Sequence, residues 1–201
     1  MYQSFIDFET GSLDKRTTPV LSVSIIVDED CVTVGRYNSL VKPYDVSLVE
    51  EKALEVNGLT LEQLECEKDE AHVFAEMVMF LSQYVDLKKR NERIFFTSHN
   101  SDFDDGVFRG MLYRNAGDKH LRSKIFWGNC ICTQALASSY LMEVRHTMSR
   151  FRLSDIAEKI IGKERLLEIS GDIGFHDAEV DAEVCREIFY AMREGGSNGS
   201  K

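Results

Sequence analysis

The polar and apolar positions change period along the chain. "FIDFET" at residues 5–10, "VLSVSIIV" at 20–27 and "CVTVGRYNSLV" at 31–41 are short β-rich runs. An acidic turn, "DED", separates the second from the third, so the first forty residues read as a three-stranded antiparallel meander. Beyond residue 46 the apolar spacing lengthens to three and four. "SLVEEKALEVNGLT" predicts a helix stopped at Asn57-Gly58, and Thr60 with Gln63 forms a capping box for another. Phe74, Met77, Val78, Leu81 and Val85 mark one buried stripe of a third helix. "RIFFTS" (93–98) and "KIFWGNCIC" (124–132) read as strands, each followed by a helical pattern, the second containing Leu136, Ala137, Tyr140 and Leu141. Leu153, Ile156, Ala157, Ile160 and Ile161 predict a helix ended by Gly162. After a loop holding Gly171 and Gly174, a last helix runs from about Ala178 to Met192. A meander followed by strand–helix alternation implies an α/β protein: one mixed five-stranded sheet flanked by helices. Residues 1–193 are expected to form a single domain, and 194–201, ending in "GGSNGSK", a disordered tail.

Composition narrows this picture. With 201 residues and 43% apolar content the chain can bury a full core. No leader pattern or long apolar span is visible, which predicts a cytoplasmic protein without a membrane partner. The five cysteines are odd in number and include no C-x-x-C, so reduced thiols are expected. Cys130 and Cys132 lack the further ligands a zinc site needs. A net charge of −10 argues against a protein that coats nucleic acid by charge alone. The distribution is uneven: residues 106–152 hold eight basic and two acidic side chains, +6, which leaves −16 for the remainder. That segment is either a solvated basic surface or one that faces an anion.

Several carboxylates sit where a simple core would refuse them. On a strand, Phe5, Asp7 and Glu9 share one face and Ser4, Ile6 and Phe8 the other. Two adjacent ionised carboxylates fit either a solvated strand end or a bound divalent cation. Asp102, Asp104 and Asp105 follow the strand "RIFFT", where they can cap a helix or meet a ligand at the carboxyl end of a sheet strand. Asp181 begins a stripe continued by Val184, Cys185, Ile188 and Met192. His176 lies five residues earlier, about 140° away on a continuous helix, so it reaches the same centre only from the preceding loop, where it suits a general base. Carboxylates and one histidine without thiolates favour Mg²⁺ or Mn²⁺ over zinc.

The set "FIDFETGSLD", "SHNSDFDD" and "HDAEVD" resembles the three motifs of the DEDDh, or DnaQ-like, 3′→5′ exonucleases. The likeness extends to "KPYDVSLVEEKALEVNGLT" and "FRLSDIAEKI" and covers nearly the whole chain. It implies an RNase H-like fold and a phosphodiester hydrolase that uses two Mg²⁺ (or Mn²⁺) ions to release nucleoside 5′-monophosphates from single-stranded 3′ ends. It further implies Asp7, Glu9, Asp104 and Asp181 as metal ligands, His176 as general base, and Thr10, Leu13, Asn100 and Phe103 as contacts to the terminal nucleotide. Single-stranded DNA is the expected substrate, with short RNA as the alternative and a polymerase or other protein as a partner. A catalytically silent nucleic-acid-binding module would lack a motif acid, and none is missing. A helical phosphohydrolase suggested by His176-Asp177 conflicts with the strand-rich first half. One departure is the Gly11-Ser12 pair, where the family often carries Thr-Gly.

Overall fold

The β-rich opening forms three strands, β1 (Tyr2–Thr10), β2 (Val20–Glu29) and β3 (Val32–Leu40). Asp30 and Cys31 turn the β2–β3 hairpin with positive φ, 49° and 72°. The computed structural model describes residues 1–171 and 175–197. Two further strands, β4 (Phe95–Ser98) and β5 (Ile131–Cys132), complete one sheet in the order β3-β2-β1-β4-β5, antiparallel on the β3 side and parallel on the β5 side. This is the expected mixed five-stranded sheet, with β1 at its centre.

Nine helices surround it among the described residues: α1 (Glu51–Asn57), α2 (Leu61–Glu65), α3 (Glu70–Leu81), α4 (Ser101–Asn115), α5 (Leu121–Ile125), α6 (Thr133–Tyr140), α7 (Leu153–Ile160), α8 (Lys163–Ser170) and α9 (Ala178–Ser197). The sequence signals for the ends of α1 and α2 operate as expected. Gly58 closes α1 in the left-handed region at φ 64°, and Thr60 with Gln63 caps α2 reciprocally.

The strand alternation of β1 divides the core. Ile6 and Phe8 pack with Val73, Phe74 and Met77 of α3 and with Phe108 and Met111 of α4. Phe5, on the other face, meets Ala182, Cys185 and Phe189 of α9. The stripe of α9 is split, because the helix is covered on two sides. Cys185 faces the sheet, whereas Val184, Ile188 and Met192 join α6, α7 and α8 in a separate cluster. Asp7 and Glu9 therefore share the α9 face of the sheet.

Three sequence expectations are corrected. The segment 124–132 is not one strand: Lys124 and Ile125 close α5, Phe126 makes an isolated bridge to Ile94 just before β4, and only Ile131–Cys132 pair regularly. The buried Arg122 side chain explains the interruption, since it bonds the Trp127 carbonyl at 3.1 Å and Cys130 Sγ at 3.0 Å across the looped-out turn. A helix, α8, fills most of the stretch after Gly162, whose φ of 83° redirects the chain from α7. Finally, α9 continues to Ser197, beyond the expected helix end at Met192. A Cβ on Gly195 would lie 2.3 Å from the Tyr140 hydroxyl, so the absence of a side chain lets this last turn lie against α6. The rest of the expected tail, 198–201, lies outside the described residues. No helix among the described residues is long and apolar enough to cross a membrane.

Candidate active site

β1 outruns its neighbour on one side. It pairs with β4 only through Gln3, Ser4 and Phe5, so the edge of its second half is free of strand partners there. The start of α4 occupies that space, and the Phe8 N–H reaches the Asp104 carboxylate. Asn100, at φ 64°, makes the sharp turn from β4 into α4. Helical phase then sorts the three acids of this segment. Asp104 is buried against the sheet. Asp105 accepts from Arg109 at 2.7 Å and Arg122 at 2.5 Å. Asp102 pairs with Lys15 at the surface.

Asp181 arrives on the first turn of α9, and His176 precedes that helix with φ 67°. Asp177 caps the helix by accepting from the backbone N–H groups of Glu179 and Val180 at 3.0 and 3.2 Å. Ligand atoms of Glu9, His176 and Asp181 all lie within 4.8 Å of one another. That span is close to the ~4.2 Å between opposite ligands on one Mg²⁺. The Asp181 Oδ1 atom is buried and has no hydrogen-bond partner among the described residues.

Electrostatics identifies Asp7 and Asp104 as parts of the same cluster. Burial, then Asp104, Asp181 and Glu9, raises the Asp7 carboxyl well above the usual carboxylate range. Burial followed by Asp181 and Asp104 pushes Glu9 up to about 8. Burial lifts Asp104 to about 7 against the opposing Phe8 N–H, and lifts Asp181 to about 7 against the backbone N–H of His176. No lysine or arginine contributes to these shifts. Four acids have thus been enclosed without a cation from the described residues, a costly arrangement that a divalent ion would relieve. The donor set is oxygen-rich with one exposed imidazole, which suits Mg²⁺ or Mn²⁺.

A cleft of about 260 Å³ opens beside the cluster, lined by Glu9, His176, Asp177, Asn38, Ser39 and Asn57, among others. The expected nucleotide contacts occupy varied positions. Thr10 is buried, its hydroxyl bonded to the Ser12 carbonyl at 3.0 Å, and Leu13 stands 86% exposed beyond it. Asn100 is exposed, and Phe103, in the first turn of α4, packs partly into the core. Thr10, Leu13, Asn100 and Phe103 are not among the residues lining the cleft. Sequence reasoning missed Asp177, Asn38, Ser39 and Asn57. Asp177 carried a legible signal as an acid directly before a helix, whereas the other three reach the cleft only through tertiary packing.

The Gly11-Ser12 departure has a steric basis. A Cβ on Gly11 would lie 3.1 Å from Val49 Cγ2, and the Gly11 carbonyl accepts from Glu50 N–H at 2.8 Å. The loop is then pinned to α4: Arg114 Nη1 bonds the Arg16 carbonyl at 3.0 Å, and Gly110 lies directly beneath Arg16. Two of the eight bases of the 106–152 segment are spent in this way. Arg114 also clasps the buried Glu70, and Arg122 is tied to Asp105, so neither faces an external anion.

No protein-family model matches the chain, and no curated protein matches it by sequence. Solved structures do. The zinc-bound complex of Escherichia coli exonuclease I with single-stranded DNA is similar with a TM-score of 0.73 and 18% identity, over 98% of this chain and 41% of that one. A moderately thermophilic exonuclease I from Methylocaldum szegediense gives 0.71 and 18%, over 96% and 40%. An exonuclease I bound to SSB-Ct gives 0.71 and 16%, over 96% and 41%. The chain spans about two fifths of the length of these structures. At such identity the likeness establishes a shared RNase H-like fold.

Proposed function

We propose that the chain is a metal-dependent 3′→5′ exonuclease of the DEDDh type, releasing nucleoside 5′-monophosphates from single-stranded DNA. The observation that carries this reading is the enclosed acid cluster with Glu9, His176 and Asp181 in one coordination-sized space and Asp181 Oδ1 unpartnered. Asp7, Glu9, Asp104 and Asp181 would hold two Mg²⁺ or Mn²⁺ ions. Such ions supply charge neutralisation at the scissile phosphate and an activated water.

The remaining steps fall to the chain's own groups. His176 is exposed, beside two of the acids, and so can take a proton from the attacking water and pass it to solvent. Asn38, Ser39 and Asn57 line the cleft with uncharged polar groups that can orient a sugar or base without repelling a phosphate. Leu13, apolar and 86% exposed, is available to lie against the terminal base. Thr10, Asn100 and Phe103 complete the proposed substrate contacts. DNA is favoured over RNA because the exonuclease I that shares this fold is bound to single-stranded DNA. A protein partner also belongs to this reading, given the exonuclease I bound to SSB-Ct.

Incubating 5′-labelled single-stranded DNA, duplex DNA and RNA with the protein tests the proposal, in Mg²⁺, Mn²⁺ or chelator and with Asp7→Ala as control. A metal-dependent ladder shortening from the 3′ end of single-stranded DNA is expected. Absence of metal-dependent degradation of all three substrates would sink the enzyme reading.

A further inference from the structure

The opposite end of the sheet carries a second concentration of chemistry that the acid cluster does not use. Two cavities meet there, of about 570 and 410 Å³, and Arg93 lines both. The larger is basic, with Lys88, Lys89, Arg90, Arg93, His120 and Lys124 around it. Some of this charge is internally balanced: Lys89 pairs with Glu92 and Asp86, and Lys124 with Asp118. Lys88, Arg90 and Arg93 have no carboxylate partner among the described residues, in a chain of net charge −10.

The smaller cavity is aromatic, lined by Tyr2, Tyr84, Phe95 and Trp127. Its walls are preformed. Tyr2 and Tyr84 lie 5.5 Å apart, and Phe95 and Trp127 6.1 Å apart. Trp127 is held by its N–H to the Ile94 carbonyl at 3.0 Å and by Arg122 on its own carbonyl at 3.1 Å. Gly35 makes room for the Tyr84 ring, since a Cβ there would fall 1.9 Å from the Tyr84 hydroxyl. Between the two cavities, the Arg93 guanidinium sits 5.6 Å over the Trp127 ring, and its Nε is buried with no hydrogen-bond partner among the described residues. A buried donor without an acceptor is costly, and a bound anion would supply one.

We propose that this end of the sheet is a nucleotide-binding site, with the base stacked in the aromatic cavity and its phosphate on Arg93, Lys88 and Arg90. An aromatic shelf next to unpaired cations is the chemistry that recognises a nucleotide, whether free or within a single strand. The site lies about 17 Å from the acid cluster, judged by the five residue-to-residue steps along β1 from Tyr2 to Asp7 at ~3.3 Å each. It is independent of the exonuclease reading, because binding here needs neither metal nor the acid cluster.

Trp127 is the only tryptophan of the chain and reports on the site directly. The full chain, in chelator, is titrated with a nucleoside 5′-monophosphate, a single-stranded oligonucleotide and inorganic phosphate while Trp127 emission is followed. Saturable quenching by a nucleotide is expected, with no change from phosphate. The exposed double substitution Lys88→Glu/Arg90→Glu should weaken it by about ten-fold or more and reduce its salt dependence. Equal affinity for monophosphate and strand identifies free nucleotide as the ligand, whereas quenching by the strand alone identifies a distal segment of nucleic acid. Absence of quenching by both, equal quenching by phosphate, or insensitivity to the double substitution overturns the proposal. Metal-dependent hydrolysis of a dinucleotide should persist in the double variant, so failure here is distinguishable from failure of the exonuclease reading.

Discussion

Replacing Asp181 with Asn should stabilise the metal-free protein while abolishing its activity. Asp181 is 9% exposed, and burial raises its carboxyl from 3.8 to about 7. A folded-state value above the unfolded one means that the native state holds the proton more tightly. The associated stability is fully present below about pH 4 and is lost as pH rises through about 7. A rise of about three pH units at ~1.4 kcal/mol each corresponds to about 4 kcal/mol at most in the ionised, metal-free state. Because Asp7, Glu9 and Asp104 share the repulsion, about 2 kcal/mol is a fairer expectation for removing one charge. For a chain of this length that corresponds to a rise in Tm of about 4–8 °C. Thermal unfolding of wild type and D181N in chelator should show this gap at about pH 8 and a gap narrowed by about half near pH 5.5. Added Mg²⁺ should raise the Tm of the wild type and act much less on D181N. A variant that is less stable than wild type in chelator, or a gap that ignores pH, refutes the argument that the site stores uncompensated charge.

Three other outcomes follow from the same geometry. His176→Ala should lower turnover by about 10²–10⁴-fold while leaving the Mg²⁺-induced rise in Tm in place; near-normal single-strand hydrolysis would remove the imidazole from proton transfer. In Gly110→Ala the new Cβ would lie 2.8 Å from the Arg16 carbonyl, and an overpacking cost of about 1–3 kcal/mol outweighs the ~1 kcal/mol gain in helix propensity. Its denaturant midpoint should fall, and activity with it, since the loop after Glu9 rests on that contact. Arg186→Ala leaves Asp28, whose side chain is 0% exposed, without the cation now 2.7 Å away. A loss of about 3–5 kcal/mol in urea unfolding is expected, reduced by the Thr33 hydroxyl that remains at 2.8 Å from Asp28. Adding Asp28→Asn should recover part of it.

The sequence determined the elements that depend on local chemistry. Strand alternation placed Asp7 and Glu9 on one face of β1, Gly58 and the Thr60–Gln63 box set two helix boundaries, and the phase of α9 put Asp181 toward the interior. These are properties of neighbours three or four residues apart, so they survive without knowledge of the fold. Motif order further implied which of the three acids after β4 belonged to the site, although composition and spacing alone left Asp102, Asp104 and Asp105 open. Only tertiary structure decided what long-range partners control. The 124–132 segment lost its strand because Arg122, anchored by Asp105, bridges its turn. Within the basic middle segment, Arg114 and Arg122 turned out to face inward, to Glu70 and Asp105. The meaning of Gly11, the polar lining of the cleft and the joining of Arg93 to Trp127 arise from surfaces brought together from distant parts of the chain. Such contacts leave no periodic trace in a single sequence, because neither partner's identity constrains its neighbours along the chain.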